Sequence, residues 1–290
     1  MLSVSIQPCT PKQLPLVRTV LQLPLAANLP YLHLWLALGT PPAGGGSPQI
    51  LGAAALQGDS IGGRVWLTVL PAHRHQGVGR QLFATVKQKA TELGMPQLQT
   101  WEGLEQSAEA FVLGQGFSFL HEIEAFEAPF SQTLAYFGTL MQWLERRNSI
   151  PGSLQHHWYQ DVPWGNLRRL LDSCFGFGIR QQVIRLIANG LQPNEWVYAV
   201  THNQAFLGGA IGSFAEHIVR WDAYAVEPAY RRSWVHVALR YWVLREVQAT
   251  RPEITTVQFE AGPDFSDTLK MAARIGATSL NCRRMYALKV

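Results

Sequence analysis

The chain has 290 residues, 47% of them hydrophobic, and a formal net charge of +4; that length suits two domains of ordinary size, each able to bury a core. Its arginines are scattered and no helix-turn-helix pattern is present, which points away from a nucleic-acid partner. Three cysteines (Cys9, Cys174 and Cys282) lie too far apart for a disulfide framework or a Cys-x-x-Cys metal pair, which suits a reducing cytoplasm.

In chain order, residues 4–7 read as a strand, and Pro11 opens a helix ending near Leu21. Proline costs nothing at a helix start, where its missing N–H would have no partner. The first residues carry no signal-peptide pattern. The apolar stretch 21–38 is interrupted by Pro24, Asn28, Pro30 and His33, so no membrane span is expected. Residues 22–31 fit no pattern, 32–38 alternate like a strand, and the proline- and glycine-rich run 40–48 is a loop. Residues 50–56 and 63–70 form a hairpin around Gly58-Asp59-Ser60. After Pro71 comes a loop holding Gly77 and Gly79, then an amphipathic helix. Leu82, Phe83, Val86, Ala90 and Leu93 share one face of it, with Gly94 just past its end. A strand (97–101), a short helix (108–113) stopped by glycine and a strand (117–126) close a first unit near residue 128. A helix over 131–147 and a polar linker ending in Pro151-Gly152-Ser153 follow.

The loop after Pro71 carries the chemistry. A helix N-terminus presents backbone N–H groups without partners, and glycines without a Cβ let an anion come close. Arg74, His75 and Arg80 add positive charge at the same place. A dinucleotide fingerprint needs a third glycine where Leu82 stands, and a nucleoside-triphosphate loop needs Gly-Lys-Ser/Thr, which is missing. The run Arg74-His75-Gln76-Gly77-Val78-Gly79, after a strand and a proline, resembles the acyl-CoA pyrophosphate loop of the GNAT superfamily of N-acetyltransferases. Residues 108–117, ending in Gly116-Phe117, resemble that family's late helix beside the cofactor. The resemblance implies a mixed α+β fold, with a twisted, mostly antiparallel sheet, one splayed strand pair and helices on both faces.

The second half repeats the first. An offset of 157 residues takes Pro71 to Pro228, Arg74 to Arg231, Val78 to Val235 and Leu82 to Leu239, and an offset of 160 takes Gly116 to Gly276. The chain therefore reads as two tandem GNAT-like domains, residues 1–128 and 154–290, joined by a helix and linker over 129–153. Gly77 and Gly79 correspond to Trp234 and His236. Large side chains there occupy the space a diphosphate needs, so only the first copy is expected to hold acetyl-CoA. Asp222 and Tyr224 lie on the strand before the altered loop, where the cleft is either filled or left for another ligand.

By the resemblance, the last backbone groups of the strand, at Val69 and Leu70, pair with the pantetheine arm. Arg74, His75, Gln76, Gly77, Val78, Gly79 and Arg80 take the pyrophosphate, and Glu105 and Phe111 lie beside the cofactor. Acetyl transfer to an amine needs a neutral amine and a proton for the leaving thiolate. The family's usual tyrosine donor falls on Val112, so that donor is missing. Glu102, ending the fifth strand, is either the general base or a solvated loop carboxylate. Tyr31, His33, Trp66 and Trp101 either wall the acceptor pocket or pack the core. His73 and His75 have the spacing of a metal pair but no third ligand nearby, so they read as loop surface and no metal is expected. The leading reading is an acyl-CoA-dependent N-acetyltransferase acting on a small-molecule or peptide amine. Its second copy supplies a wall of the acceptor site or a homodimer surface. The runner-up is a non-catalytic acyl-CoA-binding or regulatory protein.

Overall fold

The computed structural model of the protein describes residues 3–21, 32–40, 47–100, 106–175, 177–231, 233–262 and 266–290. The first half runs β1 (Ser3–Pro8), α1 (Leu14–Leu21), β2 (Leu32–Thr40), β3 (Gln49–Asp59), β4 (Gly62–Val69), α2 (Val78–Glu92), β5 (Gln97–Thr100), α3 (Gln106–Gly114) and β6 (Ser118–Pro129). After α4 (Phe130–Arg146) come β7 (Leu154–Trp158), α5 (Trp164–Cys174), α6 (Phe177–Asn189), β8 (Glu195–His202), β9 (Ala205–Ala215) and β10 (Ile218–Val226). The chain ends with α7 (Val235–Thr250), β11 (Thr256–Ala261), α8 (Ser266–Arg274) and β12 (Thr278–Lys289). No described helix is long and apolar enough to cross a membrane.

Two compact units emerge, Met1–Leu120 with Arg284–Val290, and His121–Arg283. In the first, the strands lie in the order β1-β2-β3-β4-β5, with the end of β12 next to β5. Their pairing is antiparallel except between β4 and β5. Side chains alternate across this sheet, as the two-residue period of a strand requires. Trp35, Ala37, Ala54 and Leu56 pack with Val78, Leu82, Phe83 and Val86 of α2. Leu36, Ala53 and Ala55 pack instead with Val17 and Leu21 of α1. The chain after α3 does not supply the strand beside β5. Residues 124–129 of β6 pair with β11, and Ala287, Leu288 and Lys289 pair with Gln99, Leu98 and Gln97.

The second unit has the order β12-β6-β11-β10-β9-β8-β7. Phe130 and Phe137 of α4 and Val235, Leu239 and Val243 of α7 cover one face, against Trp196, Tyr198 and Val257. Leu167, Leu171, Val183 and Leu186 of α5 and α6 cover the other, against Val197, Ala199, Ala223 and Ala225.

The internal repeat extends to single atoms. The N–H of Leu70 donates to the carbonyl of Leu51 at 2.9 Å, and that of Glu227 to Leu207 at 2.9 Å. A Cβ on Gly52 would stand 2.5 Å from the Thr68 carbonyl and 3.3 Å from Leu82; on Gly208 it would stand 2.7 Å from that of Ala225 and 2.9 Å from Leu239. At these two positions the carbonyl of the neighbouring strand comes so close that only glycine fits, and a leucine of the long helix packs over it.

Candidate functional site

The expected anion loop is built by β4, a 3-10 turn at Pro71–His73 and the start of α2. Gly77 caps the helix with φ +83°, a left-handed conformation that favours glycine, and His75 also has a positive φ of 62°. The first amide bonded within the turn of the helix is that of Gln81, to the carbonyl of Gly77 at 3.2 Å. The amides of Val78, Gly79 and Arg80 therefore have no partner within the helix, which is the usual state of a helix N-terminus. Their positive ends point out of it, and the helix dipole adds to them. His75, Gln76 and Arg80 are exposed around this end.

The two glycines differ in what surrounds them. A Cβ on Gly77 would meet nothing within 4 Å, whereas on Gly79 it would stand 3.4 Å from the ring of Phe111 and 3.5 Å from Val69. Gly77 thus faces open space, while Gly79 lies within ordinary contact distance of Phe111 and Val69. Phe111 is brought from α3 to the loop, where the family pattern put it.

At Leu70 the N–H is bound to Leu51, and the carbonyl accepts from the N–H of His73 at 2.8 Å, with one lone pair left to accept a further bond. Strand alternation turns Val69 to the opposite side, toward β5. There the parallel pairing is described as far as Val65 with Thr100, the last described residue before 106. The Val69 carbonyl accepts from Nε of Arg74 at 3.2 Å. Arg231 makes the matching contact to the Val226 carbonyl at 3.5 Å. This arginine thus braces the strand end in both units, including the one whose glycines are replaced.

Other expectations divide as follows. His33 stacks on Trp35 with centroids 6.2 Å apart, on the α2 side. Burial, and then the charge of Lys89, hold its imidazole below its ordinary value. Trp66 packs with the α1 cluster on the opposite face, so the two cannot wall one pocket. His73 is buried, with Nε2 3.2 Å from Nε2 of Gln49, which corrects its reading as loop surface. Among the described residues no cluster of three His, Cys, Asp or Glu is placed to hold a metal. Glu102, Glu105, Tyr31 and Trp101 lie outside the described residues.

The structure adds a residue that sequence reading missed. Val112 is buried in the α2 core. One turn away on α3, Glu109 accepts a hydrogen bond from the hydroxyl of Tyr286, and Arg284 approaches the same carboxylate at 3.5 Å. That bond is the chief cause holding the phenol protonated above its ordinary range. Nothing local in the sequence pointed to Tyr286, because it reaches α3 only through β12.

No protein-family model matches the sequence, and no curated protein matches it. Solved structures do. A tandem GNAT protein from the clavulanic acid biosynthesis pathway matches 99% of this chain over 98% of its own, with a TM-score of 0.65 and 14% identity. A glucosamine N-acetyltransferase region of a fungal multi-domain β-N-acetylglucosaminidase matches 99% of this chain over 38% of its own, with a TM-score of 0.70 and 12% identity. A GCN5-related N-acetyltransferase from Kribbella flavida matches 99% over 71%, with a TM-score of 0.63 and 13% identity. The protein has the GNAT fold. At these identities the likeness is one of fold, and it spans both halves of the chain.

Proposed function

We propose that the protein is an acyl-CoA-dependent N-acetyltransferase whose first unit holds acetyl-CoA. The diphosphate would sit on the amides of Val78, Gly79 and Arg80, and the pantetheine arm along β4 at Val69. The observation that carries this reading is the start of α2: a helix N-terminus with three amides free of helical partners and a left-handed glycine cap, following a strand and the turn at Pro71. Anion binding at such a terminus needs no side chain.

In this reading a neutral amine attacks the thioester carbonyl, the C–S bond breaks, and the thiolate takes a proton. Tyr286 is the candidate donor in place of Val112, since Glu109 keeps its phenol protonated and close to α3. Glu102 remains the candidate base. A second reading, an acyl-CoA-binding protein without turnover, is favoured by the buried Val112 at the usual donor position. Acetyl-CoA consumption with a panel of primary amines decides between them. Turnover is expected, with Tyr286→Phe lowering kcat about 100-fold at unchanged KM. Tight binding with no product from any amine would favour the second reading, and an unchanged kcat in Tyr286→Phe would remove that residue.

A further inference from the structure

The second unit contains a cavity that the acyl-CoA reading does not use. It measures about 660 Å3, its opening to solvent included, and its lining includes Trp221, Asp222, Tyr224, Phe259, Phe137 and Arg240. It lies where β10 and β11 part, since their parallel pairing ends at Trp221 with Phe259.

Two observations separate this cavity from a diphosphate cradle. At its loop end, Trp234 occupies the position of Gly77 with φ −57°, so the left-handed turn is gone. His236 occupies the position of Gly79, and its ring is hydrogen-bonded through Nδ1 to the hydroxyl of Tyr224. The second observation is a β-bulge. Trp221 pairs with Gly212 and Ala223 with Ile211, which leaves Asp222 as the extra residue, whereas β4 pairs with β3 without a break. A bulge re-aims one side chain out of the strand's alternation.

Asp222 is therefore the group by which this cleft differs most from its counterpart. Its Oδ2 accepts from Nε2 of Gln182 at 2.8 Å; the charge of Arg220 reaches it, but that guanidinium donates to Gln258, and among the described residues no lysine or arginine forms an ion pair with Asp222. Glu260, also on the lining, is neutralised by Arg283. Arg240 lies 4.3 Å over the ring of Tyr224 and 5.7 Å from that of Phe137. A desolvated carboxylate without a direct ion-pair partner favours a cation, and the faces of Trp221, Phe137 and Phe259 favour an apolar body beside it.

We propose that this cavity binds a small organic monoamine, with its ammonium on Asp222 and its apolar body against Trp221, Phe137 and Phe259. The positive charge of Arg240 confines the ammonium to the Asp222 end. This site stands apart from acyl-CoA binding in the first unit and does not depend on it.

The test uses the full chain and 2-phenylethylamine, followed by calorimetry and by tryptophan fluorescence. Saturable binding of one molecule per chain is expected. 2-Phenylethanol, of the same shape without the charge, should bind about tenfold more weakly or less. Asp222→Asn should weaken the amine by a similar factor and leave the alcohol and acetyl-CoA binding as they were. Absence of saturable amine binding, equal affinities for amine and alcohol, or undiminished amine binding by Asp222→Asn would each overturn the proposal. Should the variant fail to fold, the comparison of amine with alcohol on the unaltered chain decides the matter alone.

Discussion

At Gly77 the requirement is conformational, because φ is +83° and the space beside it is open; at Gly79 a Cβ would make only ordinary contacts with Phe111 and Val69. The sequence shows two glycines in a loop, but it does not show which of them the conformation requires. The same distinction separates Asp222 from His236. Burial raises the Asp222 carboxyl from 3.8 to about 6. A group raised on folding contributes stability that is fully present below its unfolded pKa and lost as pH rises through the folded value. The contribution of Asp222 therefore fades between about pH 4 and pH 6. Burial, and next the charge of Arg240, lower His236 from 6.5 to about 4, so its contribution is present above 6.5 and fades as pH falls. The two slopes oppose each other in one window. Asp222→Asn removes the first: urea unfolding followed at the second unit should show the variant more stable by about 3 kcal/mol at pH 8, with no such gain at pH 3.5. A gain of equal size at both pH values would contradict this account.

Among the elements, those set by local pattern were legible. The hairpin of β3 and β4, the apolar face of α2 and the glycine after its end follow from period and turn chemistry. Placement across the sheet was less so. His33 and Trp66 both read as aromatic neighbours of a cleft, yet strand alternation sends them to opposite faces. The strand beside β5 was not legible at all, because pairing between Lys289 and Gln97 leaves no period in the chain. That strand sets a stability prediction. Tyr286 and Leu288 are buried in the core of the first unit, and truncating buried side chains of this size costs about 2–5 kcal/mol each. Stabilities of whole domains are only about 5–15 kcal/mol. Deleting residues 284–290 should therefore abolish the thermal transition of the first unit together with acetyl-CoA binding, although the deletion lies far from the loop in sequence. A truncated chain that retains both would show that β12 contributes nothing essential to that unit.

For the whole molecule, the tandem architecture was legible because the blocks around Pro71 and Gly116 recur in one order at nearly one offset, and the matched contacts of Gly52 and Gly208 and of Arg74 and Arg231 give that offset a physical basis. The proposed division of labour between the units rests on what changed within the repeat: a bare left-handed cap in the first, a tryptophan and a hydrogen-bonded histidine in the second. The most direct measurement is the stoichiometry of coenzyme A binding to the full chain by calorimetry, before and after Gly77→Trp, a change that copies the second loop into the first. One molecule bound per chain, and none after the substitution in a protein that circular dichroism shows to be folded, is the predicted result. Two molecules per chain, or binding unaltered by the tryptophan, would contradict the assignment of the diphosphate to the start of α2.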